Sequence, residues 1–454
     1  MMSQPSPAPS TWQRIQTAWG LPDLTGKGRF VTANLIDSLG NGLVMAFTIV
    51  FFVKTTPLSL VAVGAALTAG RLLALPMPPF VGPLLDKYGP RAVVAAGNWI
   101  SVAGFVGFLF SHAVWQIVLW QFVVQLGSTA FWMGSSPLTV LVAHGTERAR
   151  WFGFVRALRN AGVGFGGAAS AVALSIGTVT GLRAVMVANA VTFSIAGWLF
   201  LTWRPAGDTS GTADAAPAGA KPAAPAESSE EQPPGGYRTV LRDTRYLRLV
   251  AVNLSFVFAS MVITVLLAVY AADNLDVGAW IVGVLVVLNT AMVALLQTLA
   301  SRWIETRSPV RVLVLALLVN AAAFVIFGSL LALPGWAVIV GLLIAMILYT
   351  VAEILSSPPT SELSVMMAPE HLRGRYLAVY QLSWSIGGAL APVLLTSLLD
   401  GGALLPWVFL TAISLLAVPL VLGLDRQPTT AGVSTPAADE ARVEQQQFDG
   451  EPAD

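Results

Sequence analysis

Three charged residues stand deep within apolar sequence. Asp37 lies in "NLIDSLGNG", Arg71 in "TAGRLLA" and Glu353 in "LYTVAEILSSPP". A carboxylate or guanidinium placed there is costly unless it meets a counter-charge, a water-filled cavity or, for the acids, a proton. The chemistry open to them is therefore ion pairing and reversible protonation. At about 1.5 Å of rise per helical residue, Asp37 and Arg71 share a depth of roughly 12 Å from one side, on segments adjacent in sequence. The spacing predicts an ion pair between them, either a static packing device or a proton-carrying acid with its counter-charge. Glu353 is the second acid able to carry a proton; the plainer reading is an acid that reaches water or pairs with Arg373 or Arg375. Arg156 and Arg159, with Asn160 beside them, start about one to two turns inside another apolar run, where a long side chain can snorkel to the interface.

The elements that must hold these residues follow from composition. The 454-residue chain is 55% hydrophobic and 11% charged, with mean hydropathy +0.72, against about 25% charge in soluble domains. Apolar runs of about 20 residues, the length that crosses a bilayer, fall near residues 30–53, 58–80, 91–111, 115–141, 152–177 and 183–203, and again near 247–271, 278–300, 310–332, 336–357, 374–399 and 404–424. The expectation is an all-α membrane protein of twelve transmembrane helices in two pseudo-symmetric six-helix bundles, 30–203 and 247–424. Segment 1–29 is read as a cytoplasmic lead without a cleaved signal, since no basic flank, short apolar core and small-residue cleavage site follow one another. The Pro, Ala, Ser and Glu mixture of 204–246 and the polar tail 425–454 are read as disordered and cytoplasmic. Lys and Arg gather at one set of helix ends, which places both termini inside. The formal charge of +1 gives no basis for a nucleic-acid partner, and the lack of Cys removes disulfides and thiolate chemistry. No Walker motif, metal-ligand constellation or Ser-His-Asp set is present, so neither enzymatic activity, a metal nor a cofactor is expected.

The two sets of six repeat one another. Asn34-Leu35 recurs as Asn253-Leu254 and Asp86 as Glu305, both 219 positions on. "SSP" at 135–137 recurs at 356–358, and "RARW" at 148–151 recurs as "RGRY" at 373–376. The order of matches never reverses, which points to a duplication joined by a linker. Between the second and third runs, in what reads as a cytoplasmic loop, stands "GPLLDKYGPR". Gly82 there permits close approach of another helix, Gly89 with Pro90 turns the chain back, and Asp86 can face a helix N-terminus or an Arg.

That stretch resembles the G-x-L-x-D-x-x-G-x-R signature of the major facilitator superfamily, and helix count, loop placement and duplication extend the resemblance over residues 30–424. The resemblance implies a secondary transporter working by alternating access, with Gly82, Asp86, Lys87, Gly89 and Arg91 forming a latch between the halves. The region around Glu353 is similar to bacterial multidrug exporters of that superfamily, which implies proton-coupled efflux of lipophilic compounds through the inner membrane. Those exporters carry an Arg in the fourth helix, where this chain has Gln121 and Gln125. Asp37, Arg71 and Glu353 are then the proton-coupling candidates. Candidates for the substrate cavity are Asn34, Met45, Gln125, Trp132, Met133, Arg159, Asn160, Asn253, Phe256, Tyr380, Gln381 and Trp384, with helices 1, 4, 7 and 11 as its walls; Met and aromatic surfaces suit varied apolar shapes. The expected partners are a small-molecule substrate, protons and the lipid bilayer, and the protein is expected to act as a monomer. Uptake of a small polar metabolite is the alternative within the family. A non-transporting scaffold or sensor is the alternative outside it, disfavoured because a scaffold has no use for buried charge.

Overall fold

The computed structural model describes residues 20–45, 47–143, 147–176, 178–204, 236–278 and 280–424. Among these the chain is helical, with no strand, as a backbone that must satisfy its own hydrogen bonds in lipid requires. Helices α1 (Gly28–Met45) and α2 (Phe47–Thr55) form a bent pair, followed by α3 (Leu60–Ala74), α4 (Pro78–Leu109), α5 (Val114–Val142), α6 (Arg148–Ile176) and α7 (Val179–Thr202). After the short α8 (Tyr237–Arg242) come α9 (Thr244–Asn274), α10 (Trp280–Glu305), α11 (Pro309–Ser329), α12 (Gly335–Met366), α13 (Arg373–Gly401) and α14 (Leu405–Leu422). Within α9, π-helical turns occupy Val262–Leu266 and Tyr270–Asn274.

Nine of the described helices are long and apolar enough to cross a membrane, or ten with α1 and α2 as one bent span. The sequence leads one to expect twelve crossings. Helix α3, with 15 residues, and α6, which carries Arg148, Arg150, Arg156 and Arg159, occupy the places of the other two without meeting that standard of length and apolarity.

The two sets of helices pack alike. In the first, α1 lies against α6 and α7, α4 against α5 and α7, and α3 against α5; in the second, α9 lies against α13 and α14, α11 against α12 and α14, and α10 against α12. These are the same pairings once the repeat is taken into account. Each set has its own apolar cores, one around Phe47, Phe52, Phe105 and Phe193 and another around Tyr270, Phe324, Phe327 and Trp407. Between the sets, α4 meets α13 and α6 meets α10, again an equivalent pair of contacts.

Two segments differ from the sequence expectation. "GPLLDKY" is helical, as the opening turns of α4, and not a loop. The reversal is confined to Gly89, whose φ of 75° lies where a side chain is strained and a glycine is not. The segment 204–246, read as disordered throughout, is helical from Tyr237, and Tyr246 is fully buried against Tyr376. Residues 205–235, like 425–454 and 1–19, lie outside the described residues.

Candidate functional site

A cavity of about 450 Å³ lies between the two sets of helices. Its walls come chiefly from α5, α6, α12 and α13, with Asn253, Phe256 and Ser260 from α9. Of the expected lining residues, Trp132, Met133, Arg159, Asn160, Asn253, Phe256, Tyr380, Gln381 and Trp384 all face it. Asn34 and Gln125 do not, and the side chain of Met45 lies outside the described ones. Among the described residues α1 contributes nothing to the lining, contrary to the expectation from sequence. α1 sits one layer back, where Asn34 accepts hydrogen bonds from Arg159 Nε and Nη2 at 3.3 and 3.2 Å. Helix α12, not among the expected walls, carries Tyr349, Glu353, Ser356 and Ser357 into the cavity, and α6 adds Arg156 to the expected Arg159 and Asn160.

Glu353 accepts hydrogen bonds from Arg156 on α6 and from Asn289 on α10, the latter at 2.9 Å. Asn289 also donates to Thr350, one turn before Glu353. The acid is thus held by a cation from the other half of the molecule, not by Arg373 or Arg375. Arg156 is correspondingly paired and does not snorkel to the interface. Three residues along α6, one turn away, Arg159 lies over the rings of Phe131 and Trp132 at 4.8 and 4.7 Å and donates to Ser135 Oγ at 2.9 Å. Across the cavity Tyr380 donates to Asn253 at 2.8 Å, and Asn253 to Ser383 at 2.7 Å.

Asp37 is buried, with Asn41 donating to its Oδ2 at 3.3 Å and its Oδ1 without a hydrogen-bond partner. One turn before it on α1, Asn34 holds Arg159. The expected Asp37–Arg71 pair does not form. The apolar face of α3, through Val63, Ala66, Leu67, Gly70 and Ala74, is taken up by packing, and Gly70 lies on Gln121 of α5; Arg71 is left on the exposed side. Position along a helix axis says nothing of rotation about it.

At one end of the cavity the halves close on each other. Asp86 accepts from the backbone N–H of Gly374, in the first turn of α13, and from Arg375 Nη1 at 3.0 Å. It faces a helix N-terminus and an arginine together. The equivalent contact is Glu305 on α10, which accepts from Arg150 Nη2 at 2.7 Å and Nε at 3.1 Å. Gly82 makes this end possible: a Cβ there would lie 2.9 Å from the Gly374 carbonyl oxygen and 2.6 Å from the Tyr237 hydroxyl. Of the other expected latch residues, Gly89 makes the turn. Lys87 lies over the Tyr88 ring, and Arg91 donates to the Trp203 carbonyl at 3.2 Å within its own half.

Residues the sequence reading left aside include Ser135, Ser136, Ser356 and Ser357, all at the cavity wall. Their signal was present as the "SSP" repeat, read only as a mark of duplication.

A two-halved bundle of membrane helices around a central polar and aromatic cavity, closed at one end by paired ionic contacts, is the architecture of a membrane transporter. The sequence pattern of the Major Facilitator Superfamily matches residues 30–392 and 249–446, and the chain belongs to that family. It is accordingly a transporter, not an enzyme, and the scaffold alternative falls away. Among curated relatives, Multidrug resistance protein MdtH of Cronobacter sakazakii is 25% identical over 401 residues, covering 86% of this chain and 91% of that one. The MdtH of Klebsiella pneumoniae is 24% identical over 394 residues, with the same coverage. Among solved structures, a bacterial homologue of the iron transporter ferroportin in its outward-facing state is similar with a TM-score of 0.70 at 15% identity, covering 88% of this chain and all of that one. The transporter FucP in its outward conformation has a TM-score of 0.67 at 13% identity, covering 87% and 97%. These two likenesses are of fold.

Proposed function

We propose that this transporter exports small lipophilic, drug-like compounds in exchange for protons, acting as a monomer in a bacterial-type inner membrane with both termini cytoplasmic. The observation that carries the reading is the Arg156–Glu353 pair, which joins the two halves at the wall of the cavity itself. A proton arriving at Glu353 neutralises it, frees Arg156 and loosens one half from the other; loss of the proton restores the pair. Proton binding is thereby tied to the relative position of the halves, the tie that exchange by alternating access needs. Asp37, one turn along α1 from the Asn34 that holds Arg159, is a second carboxylate within the same system. Trp132, Phe256 and Trp384 give an adaptable apolar wall, and such substrates are in keeping with the MdtH relatives being multidrug resistance proteins. Arg150, Arg302, Arg307, Arg373 and Arg375 gather near the closed end, which the positive-inside tendency assigns to the cytoplasm.

The hydroxyl band of Ser135, Ser136, Ser356, Ser357, Thr360 and Ser361 favours the second reading, uptake of a polar metabolite. Everted vesicles carrying an imposed inward-acid pH gradient and a pH-sensitive dye separate the two. Addition of lipophilic compounds should discharge the gradient in vesicles with the transporter and not in vesicles without it. Failure of every lipophilic compound to discharge it, with proton-coupled accumulation of a small polar metabolite in right-side-out vesicles, would overturn the export reading.

A further inference from the structure

The residue that precedes the second half reaches across to the first. Tyr237, at the start of α8, donates its hydroxyl hydrogen to the backbone carbonyl of Pro79 in the first turn of α4. In a continuous α-helix that carbonyl would accept from the N–H four residues on. Position 83 is a proline, which has no N–H to give. The Pro79 carbonyl is thus an acceptor that the helix cannot serve and that Tyr237 does. The ring packs beside Val81, Leu85, Leu377 and Ala378, a cluster drawn from both halves. Burial, followed by the nearby Arg375 and Asp86 with opposed effects, leaves the phenol pushed up to about 12, so the hydroxyl remains a donor through the physiological range.

The first half is preceded by an arm of its own. A Cβ on the buried Gly20 would lie 2.9 Å from the backbone carbonyl of Thr298 in α10. Thr298 stands 219 positions after Pro79, the same spacing that relates Asp86 to Glu305. Each arm therefore meets the opposite half at an equivalent carbonyl, just behind an equivalent ionic contact.

We propose that the chain leading into each half is a component of the gate, an exchanged arm that holds the closed end shut, with the Tyr237 hydroxyl as the positioning group of the second arm. The stretch ahead of α9 is then more than a tether between bundles: opening this end requires Tyr237 to leave Pro79. The proposal rests on the reading that the cavity is reached from this end during the cycle.

The chain contains no Cys, so Ser361→Cys at the cavity wall gives a single labelling site. Its rate of reaction with a membrane-impermeant maleimide, applied from the gate side of vesicles holding the full-length protein, reports opening. Tyr237→Phe should raise that rate about fivefold, as loss of one ordinary hydrogen bond from the closed state predicts. Pro83→Ala restores an N–H for the Pro79 carbonyl, and in that background Tyr237→Phe should change the rate less than about twofold, because the carbonyl keeps a partner. An unchanged rate in Tyr237→Phe, or the same rise in both backgrounds, overturns the proposal. Asp86→Asn serves as the reference for gate opening. If it accelerates labelling and Tyr237→Phe does not, the arm is refuted while the gate stands; if it too has no effect, the gate reading itself fails, and the arm with it.

Discussion

Glu353 and Arg71 are both lone charges in apolar helices, and packing gives them opposite fates. Glu353 meets Arg156 across the cavity and Asn289 on α10, whereas Arg71 lies on the exposed side of α3. Glu353→Gln keeps volume and hydrogen-bonding capacity but cannot cycle a proton, so pH-driven export in vesicles should fall at least about tenfold while protein level holds. Arg71→Gln should leave both within about twofold, as substitutions away from structured contacts do. A large loss in the second variant and none in the first would reverse the assignment. The ionisable residues themselves were legible in the sequence, since such groups are rare in such runs. Their pairings were not. Glu353 and its cation lie 197 positions apart, and depth along a helix leaves its rotation open, so that Asp37 is buried while Arg71 lies exposed.

At the scale of the element, α13 begins against α4 with no room to spare. A Cβ on Gly374 would overlap the Gly82 carbonyl oxygen, a backbone atom that cannot rotate aside, and would crowd Asp86 as well. Gly374→Ala should therefore cost the closed arrangement about 1 to 3 kcal/mol, the usual penalty of overpacking, while the helix itself gains slightly in propensity. Faster labelling of Ser361→Cys from the gate side, with membrane insertion preserved, checks this; an unchanged rate would mean that α13 and α4 separate without resistance. Gly82 was legible as a site of close approach because it stands in a recognisable motif. Gly374 stands in "RGRY", where nothing in the local sequence marks a close approach. The helical state of "GPLLDKY" was missed for a physical reason: glycines and prolines raise the expectation of a loop, yet Pro78 and Pro79 open a helix, where a missing N–H costs little, and Tyr237 meets the need that Pro83 creates further in.

For the whole molecule, the repeat was the most informative thing the sequence carried. Asp86 with Glu305, and "RARW" with "RGRY", appeared as echoes along the chain. In three dimensions they are acceptor and donor, crossed between the halves as Asp86 to Arg375 and Glu305 to Arg150. Both pairs stand at the same end of the molecule, with their arginines about a quarter exposed and their acids nearly covered. A membrane keeps the electrolytes on its two sides apart. Only the solution bathing this end can screen these charges, over a Debye length of about 8 Å at 0.15 M salt and about 3 Å at 1 M. The transporter should for that reason respond to ionic strength in one compartment and ignore it in the other: salt added on the gate side should speed opening, as labelling of Ser361→Cys reads it, and salt on the far side should not. In the variant Asp86→Asn with Glu305→Gln that asymmetry should vanish, leaving a protein that no longer distinguishes which side of the membrane has been made saline.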